Sequence, residues 1–429
     1  MVRVCVIGAG AAGLCAARHL LVEPCVSHVD ILEQAPQLGG TWVYTENVGY
    51  DDFGLPIHTS MYKSLRTNLP KEIMGFPDFP VPESDTSYLP AKDMLAFLKL
   101  YADKHGVTEK IKFCHHVQLI IPKQTPSGEL WDVTYKNLTN GAIETKEYDY
   151  IFVCNGHYNT PFIPQIPGLK EFKGDVMHSH DYRVPDIFAD KRVLVIGAGP
   201  SGMDIALELT TVSKKIILSH HLKEQPRTVF PDNLQQKPDV ERLEGNKVYF
   251  LDGSQDEVDV VFLCYMYNFP FLHESCDIVV EENCVEPLYK HVVNMKHPSM
   301  CFIGVPYYVC AFSMFDLQVR YYVRSMNGTF SLPTPEQMAE HWEEEKRDRA
   351  ARGFTRRQAH MMGPDQQKYY ASLADEAKTK TLPSVVTKIR DESVIRFLHN
   401  LKHYRQDKYN IIDDDTYEII SNGKREVIC

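Results

Sequence analysis

The chain of 429 residues has room for two or three domains and for a large core without disulfide staples. Its 44% hydrophobic and 24% charged content is that of a soluble globular protein, and a net charge of −11 argues against general affinity for nucleic acid or anionic membrane, which reward a basic face. The eleven cysteines show no CxxC pair and no Cys/His grouping at zinc spacing, so they read as buried reduced thiols; no metal site is expected.

No run reaches the roughly 18–20 apolar residues of a membrane span. The first residues show neither a basic n-region nor a small-residue cleavage site. A cytoplasmic location is expected, with secretion the alternative if a signal peptide precedes this chain.

Residues 3–7 read as a buried parallel strand. Gly8, Gly10 and Gly13 follow at fingerprint spacing with Ala11 and Ala12 between them, and a helix continues over 14–21. A second strand over 29–32 ends in Glu33, 20 residues after Gly13. Strand, glycine loop, helix, strand and acid together form a dinucleotide fingerprint: glycines for close approach, a helix N-terminus for pyrophosphate, and an acid for ribose hydroxyls. Gln34 follows the acid, and then Gly39-Gly40-Thr41-Trp42, where paired glycines let backbone lie against a ligand. Residues 45–90 are rich in Pro, Gly, Asp and aromatics and too long for a plain connection; the aromatics argue for packing over disorder.

An amphipathic helix is expected over 91–105, with Met94, Phe97, Leu98 and Tyr101 on one face. Strands follow over 117–121, 131–135 and 143–148, separated by turns at Pro126-Ser127-Gly128 and Asn140-Gly141. Another buried strand, 150–154, is closed by Asn155-Gly156-His157. Residues 161–168 hold three prolines and Gly168, a crossing between domains.

A second nucleotide unit starts with a strand over 193–196. Its loop, Gly197-Ala198-Gly199-Pro200-Ser201-Gly202, leads into a helix through Leu209 that carries Met203 and Asp204. The next strand, 215–218, ends in Ser219-His220-His221-Leu222-Lys223 where the first unit has Glu33. An acid there would repel a ribose 2′-phosphate, whereas hydroxyl, imidazoles and amine accommodate it. The first loop therefore reads as FAD- or NAD-like and the second as NADP. Further strands are expected over 248–251, 258–264 and 301–304. The last hundred residues read as mostly helical, with a capping box at Thr334 and Gln337, Pro335 at the first helical position, and Gly353 closing that helix.

Two dinucleotides leave a choice of chemistries. Disulfide reductases of this build need a CxxxxC pair after the acidic strand, and residues 34–60 contain no cysteine. Simple flavin oxidases would leave the second loop idle. Over nearly its whole length the chain resembles the flavin-containing monooxygenases, whose FxGxxxHxxx(Y/F) signature is matched by Phe172, Gly174, His178 and Tyr182. Residues 39–42 and 60–72 look like the family's flavin-facing stretches. Within the family the chain is most like insect pyrrolizidine-alkaloid (senecionine) N-oxygenases, on its short length, the absence of a membrane-anchoring tail, and the segments 154–157 and 268–272. It departs from the family where Phe262-Leu263-Cys264 runs directly into Tyr265-Met266-Tyr267. An expected (A/C)TGY element lacks Thr-Gly there, which bears on how tightly NADP is retained.

The resemblance implies an α/β fold of two dinucleotide-binding (Rossmann-like) domains, the NADP domain (169–288) inserted in an FAD domain (1–168 and 289–429) with a helical C-terminal region. It places FAD on Gly8, Gly10, Ala11, Ala12, Gly13, Glu33, Gln34, Gly40, Thr41, Trp42, Thr67, Asn68, Val117 and Gln318. NADP is placed on Thr67, Asn68, Gly197, Gly199, Pro200, Ser201, Gly202, Met203, Asp204, Ser219, His220 and His221. The resemblance also implies that NADPH reduces the flavin, that O₂ adds at C4a and that a soft amine or sulfide takes the oxygen, the cofactor carrying the oxidation. Asn68 is the expected catalytic contact, because a neutral amide donates to a peroxide without protonating it. His178, with His180, is expected to support the domain crossing. Substrate-lining residues are expected from 45–90 and 306–314. The partners are a small amine or sulfide and O₂, with homo-oligomerisation open. Alternatives are a Baeyer–Villiger monooxygenase, whose signature wants Trp at Tyr182, and a flavoprotein kept for binding or sensing.

Overall fold

Short apolar runs form two sheets, a seven-stranded one that is parallel except at one edge and a five-stranded one that is parallel throughout. The computed structural model describes residues 1–126, 128–157, 160–161, 165–222, 225–263, 265–266 and 269–429. Val2–Ile7 is buried on both faces along its second half and pairs in parallel with Val26–Leu32 on one side and Tyr150–Val153 on the other. The sheet has seven strands, in the order Leu288–Tyr289, Val293–Asn294, Met300–Phe302, Tyr150–Val153, Val2–Ile7, Val26–Leu32 and Ile111–Lys112. Its strands come from two stretches of the chain, residues 2–153 and 288–302. Between them in sequence lies a five-stranded, all-parallel sheet in the order Leu234–Lys237, Lys215–Ser219, Arg192–Ile196, Val260–Leu263 and Asp175–His178.

Seven α-helices occur among the described residues: α1 (Ala11–Leu20), α2 (Ala91–Lys104), α3 (Pro200–Leu209), α4 (Ala311–Met326), α5 (Pro335–Ala351), α6 (Gln366–Glu376) and α7 (Ser384–His399). Helix α1 carries the crossover from Val2–Ile7 to Val26–Leu32 and packs on α4. Residues 45–90 contain little regular structure, yet Phe76 stacks on Tyr101 of α2 at 4.2 Å and on Phe312 of α4 at 5.2 Å. That aromatic packing orders the segment. The capping box at Thr334 and Gln337 is present, with Pro335 opening α5. The strands expected near 117, 131 and 143 are His115–Thr125, Gly128–Asn137 and Ile143–Tyr148, an antiparallel sheet.

The C-terminal region departs from the helical expectation. Lys408–Ile411, Tyr417–Ser421 and Lys424–Ile428 form an antiparallel sheet. Tyr409, Tyr417 and Ile419 are buried in the core cluster that also takes in residues of α7, while Lys408, Asn410 and Glu418 beside them are exposed or half-buried. The period is two, but the strands are too short to stand out among charges. Seven of the ten described cysteines are buried, and none of the ten is disulfide-bonded. Among the described residues no helix is long and apolar enough to cross a membrane.

Candidate functional site

Two loops of the same construction follow the carboxyl ends of parallel strands, Val2–Ile7 in one sheet and Arg192–Ile196 in the other. In the first, Gly8 N donates to Leu32 O at 2.8 Å; in the second, Gly197 N donates to Ser219 O at 2.8 Å. Gly8 and Gly197 turn the chain at φ of +97° and +104°, a region that costs glycine nothing. A Cβ at Gly13 would lie 1.9 Å from Gly8 O, and one at Gly202 would lie 2.0 Å from Gly197 O. Bare Cα atoms therefore let each helix press against its own strand. No side chain caps the N-terminus of α1 or α3, so their first-turn N–H groups are presented for an anion.

The first cradle is closed by backbone. Gly39 N donates to Ala9 O at 3.0 Å, which brings Gly40 against Gly10; a Cβ on Gly40 would reach within 2.9 Å of the Gly10 Cα. Glu33 is buried, and its two carboxylate oxygens accept from Ala9 N at 2.7 Å and Ala35 N at 2.8 Å. Burial pushes its carboxyl above the ordinary carboxylate value, against the pull of those N–H donors. Ala11 and Ala12 are buried at the start of α1. Gln34 Oε1 lies 3.3 Å from His116 Nδ1, and Val117 is buried beside it in the antiparallel sheet. Trp42 meets Phe312 edge-on at the start of α4. An acid, an uncapped helix N-terminus and a floor without side chains fit the ribose and pyrophosphate of a dinucleotide.

Several site-building residues are invisible to sequence reading. His58 Nε2 sits 2.9 Å from Gly40 O, and Thr59 Oγ1 donates to Thr41 O at 2.6 Å. Both come from the irregular segment, where no period marks them. Thr67 is buried, accepting from Leu89 N at 3.0 Å through its hydroxyl and from Arg405 Nε at 3.1 Å through its carbonyl. Asn68, next to it, is exposed, with its amide unbonded among the described residues.

Gln318 is fully buried: Oε1 accepts from Gly304 N at 2.9 Å, and Nε2 donates to Tyr369 OH at 2.8 Å. Its amide thus braces the turn at Gly304, with both ends occupied.

At the second cradle, Gly199 caps α3 in an extended conformation and a Cβ there would meet nothing within 4 Å. Pro200 is at the first helical position, Ser201 is exposed, and Met203 is fully buried in the core. Asp204 is gripped by Arg405 and by Tyr62 OH. Ser219 is fully buried and donates to Pro238 O at 2.8 Å, so its hydroxyl is spent within the protein. His220 is buried against Gln236, while His221 is exposed with Asp239 at 3.3 Å. His221 is therefore the one member of that described trio facing solvent. Lys223 lies outside the described residues, as do Cys264 and Tyr267 of the altered element and Asn268.

The signature segment is built into the frame. Phe172 packs in the core beneath the five-stranded sheet, and Gly174 is bare because a Cβ would lie 2.2 Å from Asp259 O. His178 is buried, accepting from His180 N at 3.0 Å through Nδ1. Tyr182, fully buried, donates to Glu208 Oε2 of α3 at 2.6 Å and meets Tyr62 and Phe262 edge-on. One unforeseen grouping is Cys15, His19 and Asp316, but Asp316 is already bound by His19 and Arg320.

This geometry defines a nucleotide-binding α/β protein with two cradles on one chain. The flavin-binding monooxygenase-like family model matches residues 1–223 and 221–393. Senecionine N-oxygenase of Tyria jacobaeae is 34% identical over 99% of this chain and 93% of its own. Flavin-containing monooxygenase FMO GS-OX5 of Arabidopsis thaliana is 37% identical over 87% of this chain and 84% of its own. The solved structure of S-allyl-L-cysteine S-oxygenase from Allium sativum superposes with a TM-score of 0.87 at 32% identity, covering 94% of each chain. The chain belongs to the flavin-binding monooxygenase-like family and is a flavin monooxygenase.

Proposed function

We propose that the protein is an NADPH- and O₂-dependent N-oxygenase (or S-oxygenase) of small soft nucleophiles, with tertiary-amine alkaloids such as pyrrolizidine alkaloids as the substrate class. The observation that carries this is the duplicated cradle with the Phe172–Tyr182 signature built against α3. The substrate class rests on the 34% identity to a senecionine N-oxygenase along 99% of the chain. FAD is assigned to the first cradle, on Gly8, Gly10, Gly13, Glu33 and Gly40, and NADPH to the second, on Gly197, Gly199 and Gly202 with His221 at its open edge. We place the cradles in an FAD domain, 1–168 with 289–429, and an inserted NADP domain, 169–288. Seven of the ten described thiols are buried and none of the ten is disulfide-bonded, which supports a cytoplasmic setting.

Bound flavin supplies the reduction and oxygen activation. The chain's own part is to orient and to exclude water. Glu33 would hold the ribose end, and the floor at Gly10 and Gly40 would let the dinucleotide lie against bare backbone. Asn68 would offer a neutral N–H at the reacting edge without a proton to transfer.

The test is NADPH consumption against a panel of tertiary amines, sulfides and ketones, with product mass. Gain of one oxygen atom on amines or sulfides, none on ketones, and loss of that product in Asn68→Ala with flavin retained is the expected pattern. Oxygen insertion into ketones alone, or wild-type turnover in Asn68→Ala, contradicts it.

A further inference from the structure

Helix α3 carries two acids one turn apart, Asp204 and Glu208, and both are tied to chain segments outside its own unit. Arg405, from the segment after α7, grips Asp204 with both arms of its fork: Nη1 to Oδ1 at 2.6 Å and Nη2 to Oδ2 at 3.1 Å. Its remaining nitrogen, Nε, donates to Thr67 O at 3.1 Å, and Nη2 also faces Arg66 O at 3.4 Å. Tyr62 OH adds a third donor to Asp204. One turn on, Glu208 accepts from Tyr182 OH and Ser64 Oγ. The Asp204–Arg405 pair is largely shielded, with side-chain exposures of 13% and 18%.

We propose that Arg405 is a positioning residue that fixes the Arg66–Asn68 backbone relative to the N-terminal turns of α3, so that nucleotide at the second cradle is felt at Asn68. The inference rests on the functional reading above, in which Asn68 faces the reacting edge. Three features carry it. The guanidinium joins three points distant in sequence, 66–67, 204 and 405, and serves no single element. Taking two charges out of water is costly, and apolar residues would glue the same surfaces at least as well. What apolar residues lack is direction: the planar fork fixes a carboxylate and a carbonyl at set angles, which a lysine ammonium does not. The carbonyl it holds belongs to the residue immediately before Asn68, and the carboxylate sits one turn inside the helix whose N-terminus is open for phosphate.

The test uses the flavin-loaded full chain as wild type, Arg405→Lys and Arg405→Met. Flavin occupancy is read by absorbance, amide hydrogen exchange over residues 64–69 with and without NADP⁺, and peroxide released per NADPH in the presence of amine. In the wild type NADP⁺ slows exchange over 64–69; in both variants that protection falls about tenfold, the scale of a directly coupled buried contact, while flavin occupancy holds and peroxide release rises. Rescue by Arg405→Lys overturns the directional role. Wild-type protection in Arg405→Met overturns the proposal altogether. Where Arg405→Met does not fold, Arg405→Lys is judged by the same criterion. A wild type that oxygenates no amine or sulfide overturns the functional reading instead, whatever the variants do.

Discussion

Gly199→Ala adds one methyl group at a position where the fold has no objection to it. Gly199 has φ of −72° and ψ of 175°, open to any residue, and its Cβ would meet no atom within 4 Å. Stability should hold or rise by about 0.4–1 kcal/mol, from the stiffer unfolded chain. If the bare Cα faces the pyrophosphate, however, the methyl lifts the phosphates off the α3 N-terminus. Loss of one charge-assisted hydrogen bond there costs about 1.5–3 kcal/mol, or about ten- to a hundredfold in NADPH affinity. Gly202→Ala is the contrasting control. Its Cβ falls 2.0 Å from Gly197 O, so helix and strand must part, at about 1–3 kcal/mol or more. The assay pairs thermal melting with the NADPH dependence of anaerobic flavin reduction. Gly199→Ala should melt like wild type but need far more NADPH; Gly202→Ala should melt early. A Gly199→Ala protein with wild-type NADPH dependence refutes the placement of the dinucleotide.

Glu33→Gln leaves either Ala9 N or Ala35 N facing an amide NH₂ in place of an acceptor, a cost of about 1–3 kcal/mol. The purified variant should carry clearly less FAD per chain than wild type, read from absorbance after gel filtration. Stability should also depend on pH. Burial holds His360 well below its ordinary value; its Nε2 accepts from Val285 N at 2.8 Å, and its Nδ1 lies 2.9 Å from His291 Nδ1. The unfolded chain takes up a proton below about pH 6.5 that the folded site refuses. Its stabilising contribution is therefore complete above that pH and drains away as pH falls toward the folded value. Tm should drop from about pH 8 to about pH 5, and less steeply in His360→Asn; an unchanged slope contradicts this assignment.

The glycine loops and Glu33 were legible because their meaning lies in local spacing. Gly8 to Gly13 and Gly197 to Gly202 must fall where a strand meets a helix, whatever surrounds them. The orientation of single side chains was not legible. Ser219 ends a strand buried on both faces, so nothing in its sequence shows that its hydroxyl goes to Pro238 O. Asp204 reads as part of a nucleotide helix, but its partners, Tyr62 and Arg405, lie 142 and 201 residues away. His58 and Thr59, which fasten the Gly40 and Thr41 carbonyls, sit in a stretch without a period. The C-terminal sheet was hidden for a different reason: Lys424–Ile428 shows no apolar alternation and is mostly exposed, so nothing there opposes the helical pattern before it.

In the proposed function electrons pass from a nucleotide at the second cradle to a flavin at the first. Anaerobic mixing of the flavin-loaded protein with NADPH tests this directly, by loss of the yellow flavin absorbance. Full bleaching with NADPH, and far weaker bleaching in Gly199→Ala, is what the two-cradle geometry predicts. A flavin that stays oxidised under excess NADPH would contradict the account.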